Sequence, residues 1–517
     1  MAEISGSSAQ NIYRSTDAGT TFQTRLTGST ANGTAYGGYT PDGKGTTGQA
    51  WYNFCFTASQ TDPEEIHIGF IITWKSTNGG TSFVATTEWI YPNSRGYTHC
   101  DMHCLEYVGN TLYTGSDGGI FKSTDKGDNF TNISQGLGIR MFYRLGLSKT
   151  DPTLVAVGAQ DNGCSLLKST GWIDWLGADG MECAIDPVNS NLIYGSSQNG
   201  SFYKSTNGGA SQSGLNMPAN GNWTSPFAID KNSVCYVGLD EVYKSTNAGS
   251  TWTKISSVGG ANCDHLEVAP SDPNYIYLSK GSSFWRSADG GANWTPINAG
   301  LNGTINRFSV HNSSPTKITV AVGSGISSKV YTSTNGGTTW TDYTGNLPAT
   351  TNVCLVYENG PTEGIYVGKN AGIYYRNNTM TGWVAYDKGL PPVKINELEI
   401  QYSAGVVRAA TWGRGVWECY QYDSTVGLNT SETSNIDVNI YPNPSQGMIE
   451  INFNSTIEDT YTVEIRNILG QFVYRDIIAK FTGSHHQKID LSKHSKGTYL
   501  FTITNSKGST TKRIIID

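Results

Sequence analysis

No stretch of this chain comes near the roughly 18 consecutive apolar residues that a membrane-spanning helix needs. Basic charge is not in excess either: 35 Lys and Arg stand against 42 Asp and Glu, a formal net charge of −7. With no basic patch or polybasic run, nucleic acid and anionic membrane are excluded as expected partners. The opening residues, MAEISGSSAQNIYRST, lack both the charged and the apolar segment of a secretory signal peptide. The nine cysteines form no CxxC pair. They read as buried small apolar residues, with room for one or two disulfides. Neither GxSxG nor HExxH occurs, which disfavours a protease.

Turn chemistry and aromatics are what the chain has. Sixty-one glycines against 15% charged residues make a turn-rich, weakly charged composition, and 13 Trp with 29 Tyr suffice for many small cores or a sugar-binding surface. A repeat organises them: Ser-Thr-Asp/Asn-x-Gly-x-x-aromatic. It occurs at Ser15–Phe22, Ser76–Phe83, Ser123–Phe130, Ser245–Trp252, Ser287–Trp294 and Ser333–Trp340. Ser205-Thr206-Asn207-Gly208-Gly209 lacks the aromatic, and Lys168–Gly171 and Tyr375–Asn378 read as eroded copies. Most spacings fall between 36 and 47 residues, the length of one four-stranded propeller blade. Between the boxes the chain alternates as strands do.

The repeat resembles the Asp box of sialidases, sortilin-type receptors and two-propeller xyloglucanases. Its physics is structural: Asp or Asn caps a tight turn, Gly takes the positive φ, and the aromatic packs between blades. The box therefore reports fold and not activity. The expected fold is all-β: an Asp-box propeller of seven or eight blades, then a small Ig-like sandwich. Residues 1–50 read as a partial blade or the remnant of a preceding propeller, and residues 51–422 as the propeller itself. The first box is expected to lack inner strands. The segment Val406–Glu418 reads as two strands joined by a tight turn, able to pair with residues 12–27 and close a ring.

After Tyr422 neither Trp nor Cys occurs. A polar linker, 423–434, precedes a domain at 435–517 built of short alternating strands. The order Tyr441-Pro442-Asn443-Pro444, Gly447-Met448-Ile449-Glu450-Ile451, Leu469-Gly470-Gln471, Ile489-Asp490-Leu491-Ser492, Lys496–Ile503 and a basic-apolar end resembles the type A sorting domain of type IX secretion cargo in Bacteroidetes. That resemblance implies the type IX machinery as partner. Lys512, Arg513, Ile514 and Ile515 become the sorting signal, on a monomer secreted or held on the outer surface of a Gram-negative bacterium. It also implies a signal peptide upstream of Met1.

Candidate chemistry concentrates between residues 97 and 182. On a strand, His99, Asp101 and His103 share one face, and two imidazoles with a carboxylate can hold a divalent metal. Further acidic turns follow at Ser116-Asp117-Gly118-Gly119, Gln160-Asp161-Asn162-Gly163 and Ala178-Asp179-Gly180-Met181-Glu182. The series HxDxH, DGG, QDNG, GDG resembles a group of secreted propellers, without bringing an activity. These residues supply catalytic candidates (Asp101, Asp117, Asp161, Asp179), ligand-binding candidates (Gln160, Asn162, Glu182) and the metal set His99, Asp101 and His103. The His-Asp-His trio is expected to face the central channel or its rim, close to at least one of Asp117, Asp161 and Asp179. Two functions fit: a non-catalytic propeller that binds glycan or protein, or a xyloglucanase-like glycoside hydrolase with paired carboxylates. A sialidase is disfavoured by the scarcity of Arg in the propeller.

Overall fold

In a computed structural model the chain is described over residues 1–5, 8–27, 36–40, 48–89, 96–422, 436–467, 472–505 and 508–517. The linker 423–434 and Ile468–Gln471 lie outside the described residues. Two compact units result, Met1–Cys419 and Tyr420–Asp517. Among the described residues the secondary structure is strand, apart from single 3-10 turns at Gln198–Gly200 and Gly325–Ser327.

Seven consecutive sheets run from Arg144 to Tyr420, six of four strands and the last of three. Each is an antiparallel meander. Their inner strands begin at Arg144, Cys183, Phe227, His265, Ile305, Asn352 and Ile395, and each packs on the next. The last, Ile395–Gln401, packs back on the first, Arg144–Leu147. The ring therefore closes with seven blades. Closure is stitched by hydrogen bonds: Phe142 N donates to Thr411 O at 3.0 Å, Asn396 Nδ2 to Phe142 O at 2.7 Å, and Arg408 Nη2 to Pro152 O at 2.7 Å.

Two expectations change here. The closing partner of Val406–Glu418 is the chain around residues 140–152, and not residues 12–27, which pair within their own sheet. The ring also begins near Arg144 rather than at residue 51. Sheets Cys55–Ala85 and Met102–Asn132 carry genuine Asp boxes, but the circuit is complete without them. Together with Ala2–Thr27 they form three successive blades ahead of the ring. The first box is preceded by two strands, Ala2–Ser5 and Ser8–Arg14, where the sequence suggested none.

One interaction explains the repeat. In every box the Ser hydroxyl accepts the amide of the Gly four residues on, at 2.8–2.9 Å: Ser15 from Gly19, Ser76 from Gly80, Ser123 from Gly127, Ser205 from Gly209, Ser245 from Gly249, Ser287 from Gly291 and Ser333 from Gly337. The copy without its aromatic folds the same way, so the turn is the repeat's invariant. In two of the three boxes that end in Trp, the indole ties blades together: Trp294 Nε1 donates to Ile255 O and Trp340 Nε1 to Ile297 O, both at 2.8 Å. No cysteine is disulfide-bonded. Cys55, Cys164, Cys183, Cys235, Cys263 and Cys354 are buried, as small apolar residues are.

The second unit is one five-stranded sheet folded on itself. Its long strands Met448–Asn467 and Phe472–Asp490 change register between Ser455 and Tyr461. Before the break the first strand pairs with Val438–Tyr441, after it with Gly497–Asn505. Ile449, Ile451, Val463, Ile465, Phe501, Ile503 and Ile514 fill the core between the halves. Each contributes about 1.5–3 kcal/mol by burial.

Candidate functional site

In a four-stranded antiparallel meander, the turn between the second and third strands and the exit from the fourth lie at the same end. All four candidate aspartates occupy such positions. Asp117 sits in the turn between Thr111–Ser116 and Gly119–Ser123, and Asp161 in the turn between Val155–Ala159 and Gly163–Lys168. Asp101 and Asp179 lie just ahead of inner strands. Sheet stacking brings Asp101, Asp117 and Asp161 together, with carboxylate oxygens within 4.8 Å of one another. Asp179 joins through the backbone, its Oδ1 accepting Asp161 N at 3.0 Å.

The His-Asp-His trio is not arranged by strand alternation. The strand starts at Met102, so His99 and Asp101 precede it. Asp101 takes a left-handed φ of 66°, and a bulge between Met102 and Cys104 exposes both His103 and Cys104. The two histidines are spent on different partners. His99 Nε2 lies 2.8 Å from Asp161 O, while His103 Nε2 lies 2.8 Å from Asp117 Oδ1. Among the described residues, the donors that converge are the three carboxylates, with no imidazole among them. The expected His99, Asp101, His103 metal set is thereby corrected: only Asp101 belongs to the convergent group.

Several partners carried no signal in the sequence. Tyr52 Oη donates to Asp117 Oδ2 at 3.0 Å, and its ring packs edge-on against His103. Gln49 Nε2 and Asn53 Nδ2 both donate to Asp101 Oδ1. These residues lie in irregular chain some fifty positions upstream of Asp101, where no spacing rule connects them. Gln160 and Asn162 serve the scaffold. Gln160 Oε1 accepts Tyr143 Oη at 2.8 Å, and Asn162 Nδ2 donates to Asp117 O at 3.0 Å. That last bond crosses from the pre-ring sheet to the ring's first blade.

The electrostatics follow from crowding. Desolvation, then the charges of Asp179, Asp117 and Asp101, push the Asp161 carboxyl up to about 8. Burial first, and the charge of Asp117 second, raise Asp101; the amides of Gln49 and Asn53 oppose this.

Glu182 is not part of the cluster. It lines the ring's central cavity, about 420 Å³, with Lys149, His265, Glu267, Arg307 and Glu399, and pairs with Arg144 Nε at 3.4 Å. Neither the trio nor Asp117, Asp161 or Asp179 lines that cavity; the expected closeness of the trio to those aspartates is met, through His103 on Asp117 and Asp101 beside Asp117 and Asp161. Burial pushes Glu267 up to about 8 and Glu399 to about 7, and holds His265 neutral. In the second unit, the expected sorting residues lie on the last strand, Gly508–Ile516: Arg513 is exposed and Ile514 fully buried.

Fold and site together define an Asp-box β-propeller on a chain that ends in a separate β-sandwich. The family described as Secretion system C-terminal sorting domain matches residues 439–517, and that described as Sortilin, neurotensin receptor 3 matches residues 240–376. The chain is thus cargo of the type IX secretion machinery, delivered to the outside or the outer surface of a Gram-negative bacterium. No curated protein matches it. Among solved structures it is similar to PorZ, an essential bacterial surface component of the type IX secretion system of Porphyromonas gingivalis, at 13% identity over 100% of this chain and 75% of that one, TM-score 0.48. It is also similar to a Niastella koreensis GH74 enzyme, at 16% identity over 80% and 87% of the two chains, TM-score 0.32. A third likeness, YCF48 bound to D1 peptide, has 13% identity over 55% and 94%, TM-score 0.43. No helix among the described residues is long and apolar enough to cross a membrane.

Proposed function

We propose that this exported propeller binds a glycan at the cluster of Asp101, Asp117 and Asp161. The observation that carries the reading is the pairing of those carboxylates with aromatic surface. Tyr52 is hydrogen-bonded to Asp117 and half-exposed, and the neighbouring Trp51 ring is 72% exposed and 5.9 Å from that of Tyr52. Carboxylates accept sugar hydroxyls, and an exposed indole stacks on the apolar face of a pyranose. Trp51 and Tyr52 together expose adjoining aromatic surface beside the acidic cluster, and contiguous apolar surface rimmed by polar groups is what binding sites present. A glycan array probed with the full chain tests this; hits lost in Trp51→Ala support it, and an empty array rejects it.

A second reading, glycoside hydrolysis, is favoured by Asp161 alone. A carboxyl held protonated near neutral pH, within 4.8 Å of other carboxylates, has the properties of a general acid beside a nucleophile. Release of reducing ends from array hits, absent in Asp161→Asn, distinguishes hydrolysis from binding.

A further inference from the structure

We infer that Cys164 and Cys183 are joined as a disulfide when the chain is exported, tying the first blade of the ring to the second. The inference stands whether or not the propeller binds a glycan.

Backbone pairing aims the two thiols at one another. Cys164 lies on the third strand of the first blade, Gly163–Lys168, which packs on Ile193–Ser197, the second strand of the next blade. Its Sγ donates there to Ser196 O at 3.6 Å, and a Cβ added at Gly195 would lie 3.2 Å from it. Cys183, on the inner strand of the second blade, is the register partner of Gly195. Such partners present their side chains on the same face, with Cβ positions about 4.5–5.5 Å apart. The Cys183 side chain therefore leaves its sheet beside the place where Cys164 Sγ rests, and the two thiols are hydrogen-bond partners. The missing side chain at Gly195 is what lets them meet. Both belong to one apolar cluster with Trp175, Leu176 and Ile193.

Other buried cysteines are turned elsewhere. Cys235 Sγ donates to Tyr194 Oη and Cys354 Sγ to Ile395 O, both at 3.4 Å.

The position gives the bond a use. The third and fourth strands of the first blade are joined by the eroded box, with Lys168 and Gly171 in register, in place of a Ser-to-Gly turn. A bond from Cys164 to Cys183 spans that outer strand, Gly171–Leu176, and reaches the next blade. It also fixes the turns of Asp161 and Asp179, which lie just ahead of the two cysteines and meet where Asp179 Oδ1 accepts Asp161 N.

Cargo of type IX secretion leaves the reducing cytoplasm, and disulfides form and persist outside it. The oxidant is the disulfide of a periplasmic thiol oxidoreductase. The Cys164 thiolate attacks one of its sulfurs, forming a mixed disulfide and expelling the other sulfur as thiolate. The Cys183 thiolate then attacks Cys164 Sγ, forming the Sγ–Sγ bond and expelling the second oxidoreductase thiolate. Two cysteines are oxidised, two oxidoreductase sulfurs are reduced, and the two thiol protons pass to them. In the folded ring Cys164 and Cys183 are 0% and 3% exposed, and burial holds the Cys183 thiol well above its ordinary range. The exchange therefore precedes the packing of the two blades.

Peptide mapping of the full chain, exported by a type IX-competent host with a signal peptide added, tests the inference. The protein is alkylated with iodoacetamide in denaturant without reductant, digested and weighed. The expected product is the Cys164 peptide linked to the Cys183 peptide, two hydrogens lighter than their sum and separated by reduction. In Cys183→Ser, Cys164 should be alkylated. The exported parent should also melt roughly 5 °C above the same chain made in a reducing cytoplasm. Recovery of Cys164 and Cys183 both alkylated in the exported parent, or of either in a bridge to another cysteine, overturns the inference. Equal melting of the two preparations would deny the tie between the blades.

Discussion

The Nε2 of His99 lies 2.8 Å from the main-chain oxygen of Asp161, joining the last pre-ring blade to the first blade of the closed ring. Asn162 makes the return link, donating to Asp117 O at 3.0 Å. The acidic cluster therefore exists only where the two blade systems meet. The pre-ring blade supplies Asp101 and Asp117, and the ring supplies Asp161.

His99→Ala should leave both blade systems folded and loosen their junction. The lost hydrogen bond is worth about 0.5–1.5 kcal/mol. Hydrogen exchange should rise at residues 159–163 with little change in the main melting transition. Unchanged exchange there would show that the junction is held by other contacts.

Glu267 makes the stability of the ring pH-dependent. Its folded carboxyl, near 8, stands above the ordinary unfolded value of about 4.3. A raised acid holds its proton in the folded state, so its contribution is complete below about pH 4 and is lost as pH rises through 8. Glu267→Gln should therefore melt above the parent at pH 8 and lose that advantage near pH 5. Thermal melts across that range measure it. A parallel pH dependence for both proteins would show that other groups govern it.

The Asp-box turn should be intolerant at its glycine and tolerant at its serine. Gly249 has φ +78°, and a Cβ there meets Leu215 Cδ1 at 2.8 Å. Gly249→Ala should cost about 1–3 kcal/mol through strain and overpacking. Ser245→Ala, which removes one acceptor for the Gly249 amide, should cost about 1 kcal/mol. Chemical denaturation of the two variants gives the ordering, and the reverse order contradicts this account of the repeat.

Export should follow the integrity of the sandwich. Ile514 is fully buried in its core, so Ile514→Asp should cost about 3 kcal/mol or more and abolish export of a fluorescent fusion carrying a signal peptide and residues 423–517. Exposed Arg513 can change without unfolding the domain, so a loss of export in Arg513→Ala would mark a contact with the machinery. Normal export of Ile514→Asp would separate sorting from folding.

What was legible in the sequence was the repeated and the periodic. Seven Ser-to-Gly turns were readable because the same atoms recur at the same offsets. The sorting domain was readable because its motifs keep their order from Tyr441 to Ile516. The ring's start was not legible: the box at Ser123 is as good a copy as that at Ser245, and a box does not say which ring its blade joins. The chain that closes the ring, Arg140–Leu145, carries no box. At the site, the acidic turns were visible from their Asp-Gly and Asp-Asn pairs. The arrangement of His99, Asp101 and His103 was not, because the left-handed φ at Asp101 and the bulge after Met102 break the two-residue period. Tyr52 and Asn53 gave no signal, since their partners Asp117 and Asp101 lie 65 and 48 residues further along the chain.

The most direct test of the whole account is a calorimetric titration of the full chain with the strongest glycan from the array, comparing the parent with Asp117→Asn. Asp117 is where the aromatic surface, the histidine and the carboxylate cluster meet, through Tyr52, His103 and Asp161. The account predicts at least a tenfold loss of affinity in a variant that melts as the parent does. Equal affinity in the two proteins would place the binding site elsewhere on the propeller.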